Sequence, residues 1–143
     1  MKRIFVCFLF LSISLIPTTR ANVGEIPSSV LETFQKKFPD VRKVNWTKID
    51  GQYIASFEQG EKAFIIASFD ILGQWKVTET QLETCTLPEF IQNYILNNYA
   101  ASTTIETIHL IEQPGKEYFS IGLETINGFV TLEINAQGHL AEL

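Results

Sequence analysis

The segment IPSSVLETFQKKFP, residues 26–39, decides how the rest of the chain is interpreted. Its apolar residues follow the spacing of one helical side, and they are Val30, Leu31, Phe34 and Phe38. Pro27 suits a first helical turn, the two lysines suit the negative end of the helix dipole, and Pro39 ends the helix. The segment therefore predicts an amphipathic helix that packs one side against a core.

After this helix the chain alternates apolar and polar residues in four runs separated by turns that contain glycine. A period of two residues is typical of a β-strand with one buried side. The pair Asp50-Gly51, like Asn127-Gly128 later in the chain, suits a type I′ hairpin turn, in which both central residues have positive φ. We predict antiparallel strands at residues 41–49, 52–58, 62–70 and 74–83.

The same order of elements returns in the second half. The segment LPEFIQNYILNNY, residues 87–99, aligns with the first helix, and four further runs follow at residues 103–112, 117–124, 128–135 and 139–142. Such self-similarity is typical of a duplicated unit. We predict an α+β fold of two tandem helix-plus-four-strand antiparallel repeats, at residues 22–84 and 85–143.

Residues 1–21 have the pattern of a secretory signal peptide. A basic pair precedes an apolar run at residues 4–16, and a small-residue cleavage motif ends at Ala21. A membrane span needs roughly 20 apolar residues, so the run favours export over a retained transmembrane anchor. Cleavage removes three basic residues and no acidic one, which changes the net charge from −5 to −8.

The two halves agree on which strand positions are apolar, and this agreement predicts the core side of the sheet. The core positions are Val44/Ile108, Trp46/Leu110, Tyr53/Phe119, Ala55/Ile121, Phe57/Leu123, Ile65/Val130, Ala67/Leu132 and Phe69/Ile134. One helix per four strands leaves the opposite side uncovered. We place on that side Asn45, Thr47, Ile54, Ser56, Phe64, Ile66, Ser68, Lys76, Thr78, His109, Tyr118, Ser120, Phe129, Thr131 and Glu133.

Apolar and aromatic residues interrupt this uncovered side, and such a patch often marks a binding surface. The candidate partner-contact residues are Ile54, Phe64, Ile66, His109, Tyr118 and Phe129. Two ordinary explanations compete with this interpretation. Strands favour β-branched and aromatic residues wherever they point, and a register slip would return these side chains to the core.

The sequence offers few residues of the kinds that carry catalysis or bind metals. Its histidines, His109 and His139, are not spaced with other ligands, and it has no phosphate-binding loop or nucleophile elbow. We interpret Cys85 as an inert loop thiol, because no Cys or His stands near it in the sequence; a functional thiol and an intermolecular disulfide are the alternatives. The acidic charge without basic clusters argues against nucleic acid and anionic membranes as partners. We predict no catalytic residue, metal or cofactor.

A series of core and turn positions resembles the PepSY-like family, which is described as beta-lactamase-inhibitor-protein-like. The positions are I-P-x-x-V-x-x-x-F-x-x-K-F-P from Ile26, V-x-x-V-x-W from Val41, G-x-Y-x-A-x-F from Gly51 and F-D-x-x-G-x-W from Phe69. The second half departs from this pattern, with Asn135 in place of Asp70 and Leu140 in place of Trp75.

The resemblance implies export to a bacterial periplasm or surface. It also implies one extended sheet with both helices on one side, and in the inhibitor proper the concave sheet grips an enzyme. It transfers no functional residue to this chain, because the matched positions are structural.

We predict an exported, non-enzymatic binding or inhibitory module that holds a protein or an envelope component on its open sheet face. One alternative is a structural protein that pairs with itself through that face as a homodimer. A weaker alternative is a small-molecule binder with a pocket where the two halves meet, since no convergent set of reactive residues is visible.

Overall fold

A computed structural model describes residues 24–60, 63–84 and 87–140. The predicted signal peptide, Cys85 and the end of the predicted eighth strand lie outside these ranges. The described elements are α1 (Ser28–Lys37), β1 (Asn45–Ile49), β2 (Gln52–Gln59), β3 (Ala63–Phe69), β4 (Trp75–Gln81), α2 (Glu89–Asn98), β5 (Thr104–Gln113), β6 (Lys116–Thr125) and β7 (Gly128–Asn135).

Each helix begins directly after a proline. The carbonyl oxygens of Pro27 and Pro88 accept hydrogen bonds from the backbone N–H groups three and four residues further on, at 3.0 and 3.2 Å in both helices. The buried helical residues, spaced four positions apart, are Val30 and Phe34 in α1 and Ile91 and Ile95 in α2. The predicted helices are therefore confirmed, and so are their core sides, except that Leu31 is 42% exposed.

The seven strands form one sheet in the order in which they occur in the chain, and all neighbouring pairs are antiparallel. Only β4 and β5 are joined by a helix, and they pair from Thr78↔Glu112 to Gln81↔His109. This ladder joins the two halves into a single sheet. The predicted α+β class with antiparallel strands is therefore confirmed.

One of the two predicted type I′ turns is present and the other is not. At Asp50-Gly51 both residues have positive φ, 49° and 80°. Gly128, in contrast, pairs with Thr125 as the first residue of β7, so the second turn consists of residues 126 and 127. The Thr125 hydroxyl accepts a hydrogen bond from the Asn127 N–H at 3.2 Å and donates one to the Gly128 carbonyl at 2.7 Å. This side chain stabilises a different turn, so the prediction for Asn127-Gly128 is wrong.

The second half has three described strands where the predicted repeat has four. In place of the eighth strand, Leu140 forms an isolated bridge with Ile134. The turns before these segments nevertheless share one arrangement. Oδ1 of Asp70 and of Asn135 accepts hydrogen bonds from the N–H groups two and four residues further on, at distances from 2.9 to 3.1 Å. Asn135 therefore preserves the turn that Asp70 makes, because an amide oxygen accepts these bonds as a carboxylate does.

The two helices pack on the same side of the sheet, over separate cores. The core under α1 is aromatic, with the ring of Phe34 between 5.1 and 6.2 Å from those of Phe38, Trp46, Phe57 and Phe69. The core under α2 is aliphatic and contains Leu87, Ile91, Ile95, Ile108, Ile121, Leu123, Leu132 and Ile134. All predicted core positions are buried or half-buried. We call the other side of the sheet, on which no described helix lies, the open face.

Strand β4 departs from the predicted alternation. Ser68 pairs with Val77 but Phe69 pairs with Trp75, so Lys76 is an additional residue in a β-bulge. The prediction that Thr78 lies on the uncovered side is therefore wrong. Thr78 pairs with Ala67 on the helix side, is 1% exposed, and accepts a 2.9 Å hydrogen bond from the indole N–H of Trp75.

Candidate partner-contact face

Strand pairing places all six predicted contact residues on the open face, since residues directly opposite each other share a side of the sheet. Their opposite partners are Ser68 for Ile54, Glu58 for Phe64, Ser56 for Ile66, Ser120 for His109, Ile111 for Tyr118 and Glu124 for Phe129. Phe64 is 42% exposed and Phe129 is 60% exposed, whereas the other four are half-buried. Three of the six lie in each half, so the candidate face spans the whole sheet.

One row of side chains crosses the centre of the open face. Ile66, Glu79, Ile111 and Tyr118 lie directly opposite one another on β3, β4, β5 and β6. Ile111 is only 9% exposed, because the longer side chains of Glu79 and Tyr118 flank it. Ser68, predicted on this face, is likewise 4% exposed between neighbours on β2 and β4. The centre of the face therefore has an apolar floor bordered by longer polar and aromatic side chains.

Among the residues that sequence reasoning missed on this face, three lie near its centre: Val77, Glu79 and Ile111. The signal for Ile111 was available, because it lies two residues after His109 on the same strand. Val77 and Glu79 could not be assigned in this way, because the bulge at Lys76 inverts the alternation of β4 from that point onward.

Four polar residues on adjacent strands form an electrostatic cluster on the open face. His109 Nδ1 lies 2.5 Å from Glu79 Oε1, and the hydrogen bond from this histidine lowers the pKa of Glu79. Burial raises the pKa of Glu133, and its Oε2 atom is buried without a hydrogen-bond donor in the described part of the chain. Burial and the nearby carboxylates of Glu133 and Glu79 also raise the pKa of Tyr118. The cluster therefore holds two carboxylates with a histidine and a tyrosine between them.

Phe129 lies over a glycine of the neighbouring strand. A Cβ atom built on Gly122 would be 2.6 Å from Cζ of Phe129, so the ring fills the space above this residue. An aromatic ring that covers a glycine on the adjacent strand fixes the pairing of the two strands. The orientation of Phe129 is thus set by packing, although most of its surface is exposed.

Three further features concern metal ligands, grooves and membrane spans among the described residues. Within residues 24–60, 63–84 and 87–140, no three His, Cys, Asp or Glu side chains come together as metal ligands would. An open groove of about 560 Å³ lies beside residues 40–43 and 58–60, away from the β4–β5 junction where a pocket between the halves was considered. Neither described helix has the length and hydropathy needed to cross a membrane.

These features define a class of small α+β proteins, in which an open antiparallel sheet carries both described helices on one side. The family described as beta-lactamase-inhibitor-like, PepSY-like matches residues 51–142, and the chain belongs to this family. The resemblance drawn from the helix and turn residues is therefore confirmed.

Solved structures from Bacteroides species have a similar fold. A BLIP-like protein from Bacteroides fragilis is 18% identical with a TM-score of 0.76, over 86% of this chain and 88% of that one. A DUF2874 family protein from Bacteroides ovatus is 25% identical with a TM-score of 0.73, over 83% and 86%. A protein from Bacteroides eggerthii that is described as periplasmic is 15% identical with a TM-score of 0.71, over 83% and 88%. A search of the curated proteins found no match.

Proposed function

We propose that the protein is an exported, non-enzymatic module that holds a protein partner on its open face. The observation that carries the proposal is a sheet side with apolar and aromatic residues from both halves and no described helix over it. Surfaces of this kind often bind other proteins. The inhibitor-like description of the family supports a binding role over a catalytic one.

Matched substitutions on opposite sides of the sheet test the use of the open face. Phe64 on the open face and Leu31 on α1 are both 42% exposed, so Phe64→Ser and Leu31→Ser remove comparable exposed apolar side chains. Each variant and the unchanged protein serve as bait for envelope proteins of the native host. We expect Phe64→Ser to lose a captured protein that Leu31→Ser retains. Equal capture by both variants would contradict the proposal.

Export is the second part of the proposal. The signal-like residues 1–21 support it, and so does the similar structure described as periplasmic. The test is to express the whole chain in a Gram-negative bacterium, fractionate the cells and measure the intact mass. We expect a periplasmic or secreted chain that begins at Asn22. An uncleaved chain in the cytoplasm would contradict export.

We also infer that the two halves derive from one duplicated unit, which the matching turns at Asp70 and Asn135 support. The proline before each helix and the separate core under each helix support it as well. Under this proposal, residues 22–84 and 85–143 correspond to the two copies.

A further inference from the structure

The charged residues of the open face are mainly acidic. At the paired strand positions that the structure describes, its carboxylates are Glu58, Glu79, Glu124 and Glu133, and its lysine is Lys116. Lys76, in the bulge of β4, forms an ion pair with Asp70 at 2.8 Å. A two-fold pairing of this face with a second copy would bring carboxylates against carboxylates. The charge therefore disfavours the homodimer and favours a partner with positive charge.

Glu133 has a carboxylate oxygen on the open face that lacks a hydrogen-bond donor in the described part of the chain. Its Oε2 atom is removed from solvent and accepts no hydrogen bond from the described residues. A buried oxygen in this state destabilises the protein until a donor reaches it. When the carboxylate rotates towards solvent, a guanidinium or ammonium group supplies such a donor and opposes the negative charge. The neighbouring Tyr118 adds an aromatic ring, to which a cation is attracted.

Building on the proposed function, we propose that the open face binds a polypeptide segment that carries an arginine or lysine beside apolar side chains. The cation lies between Glu133 and Tyr118, and the apolar side chains lie along Ile66 and Ile111. Charge complementarity sets the position of the segment, and burial of the apolar side chains supplies the remaining affinity.

The spacing of the strands sets the length of this segment. Ile66 on β3 and Tyr118 on β6 are three strand intervals apart, or about 14 Å. An extended chain covers about 13 Å in four residues and presents alternate side chains on one side. A suitable probe is the blocked octapeptide Gly-Leu-Ser-Val-Ser-Arg-Ser-Gly, which places leucine, valine and arginine on one side. Matched probes replace the arginine with glutamine or with glutamate.

Titration of the isotope-labelled protein with each probe, followed by backbone amide shifts in NMR, tests the proposal. We expect the arginine probe to shift the amides of β3 to β7 and to bind about fivefold more tightly than the glutamine probe. The glutamate probe binds more weakly than both. In about 1 M salt, where the Debye length is ~3 Å, the advantage of arginine falls.

Two substitutions on opposite sides of the sheet provide the matched control. Glu133→Gln removes the advantage of the arginine probe, whereas Glu117→Gln leaves it unchanged, because Glu117 pairs with Glu112 on the helix side. Equal binding of the arginine and glutamine probes would overturn the proposed cation site, while shifts confined to the open face would still support the proposed function. If no probe shifts the backbone amides of the open-face residues, the proposal that the face binds a cationic segment is overturned. The capture experiment with Phe64→Ser then decides separately whether the proposed function stands.

Discussion

The position of Phe129 over Gly122 predicts that substitutions of these two residues are energetically coupled. A methyl group on Gly122 would lie 2.6 Å from Cζ of Phe129, so Gly122→Ala must lift the ring off the sheet. Phe129 is 60% exposed. A phenylalanine of roughly 200 Å² then buries about 80 Å², which contributes at most about 2 kcal/mol. We expect Phe129→Ala alone to lower the free energy of unfolding by about 1–2 kcal/mol on this basis.

The effect of Gly122→Ala depends on whether the ring is present. Alanine is favoured over glycine in a strand by about 0.5–1 kcal/mol, but in the unchanged protein this gain is offset by the displaced ring. In the Phe129→Ala protein the ring no longer opposes this gain. The added methyl group meets the Thr107 hydroxyl in both backgrounds, so this contact cancels in a double-mutant cycle.

We expect urea unfolding of the unchanged protein, the two single variants and the double variant to give an interaction energy of about 1–2 kcal/mol. This energy is the contribution of the ring's packing on the sheet, which each single variant removes. Additivity of the two substitutions within about 0.5 kcal/mol would refute the packing of Phe129 on Gly122. In that case Phe129 would be a mobile side chain and not a contact residue held in position.

Two further pairs of variants test the turns and the charge cluster. Gly73→Ala should lower the free energy of unfolding, measured in urea, by about 2–4 kcal/mol, because a Cβ there would lie 2.5 Å from the Ser29 carbonyl oxygen. Gly115 also has positive φ but faces open space, so Gly115→Ala should lower the free energy of unfolding by only about 1 kcal/mol. At neutral pH, Glu79→Gln should lower the melting temperature and Glu133→Gln should raise it. Folding lowers the pKa of Glu79, so the stability that its carboxylate contributes is lost as the pH falls through the folded-state pKa. Folding raises the pKa of Glu133, so stability is lost as the pH rises through the folded-state pKa of this group. Melting curves in which both variants shift in the same direction at neutral pH would contradict these assignments.

The helices and the core side of most strands could be predicted because several physical signals agreed at each position. Helical spacing, a preceding proline and a following proline or polar turn all marked α1. Agreement between the two halves then predicted which residues face the helices, such as Ala55 and Ile121, both of which are fully buried. A strand with two consistent apolar patterns leaves little freedom for a register slip, because the slip would expose every core residue at once.

Strand β4 could not be predicted in the same way, because one additional residue changes the outcome for all positions after it. Strand β4 contains no glycine or proline that marks a bulge, and Gly73 belongs to the preceding turn. The arrangement depends on tertiary contacts: the Trp75 indole bonds to Thr78, and Phe69 pairs with Trp75 across the strands. The same bulge places Glu79 beside His109 on the open face. The electrostatic cluster therefore could not be predicted without the register of β4.

Substitutions on the open face are expected to leave both cores intact, because the cores lie on the other side of the sheet. Each helix stabilises its own half through an aromatic or an aliphatic core, and neither core includes an open-face residue among those described. The open face is continuous only because β4 pairs with β5. Under the proposed function, a partner that contacts both Ile66 and Tyr118 recognises the joined sheet and not one half, and substitutions on the open face can change which partner is bound while both cores stay intact.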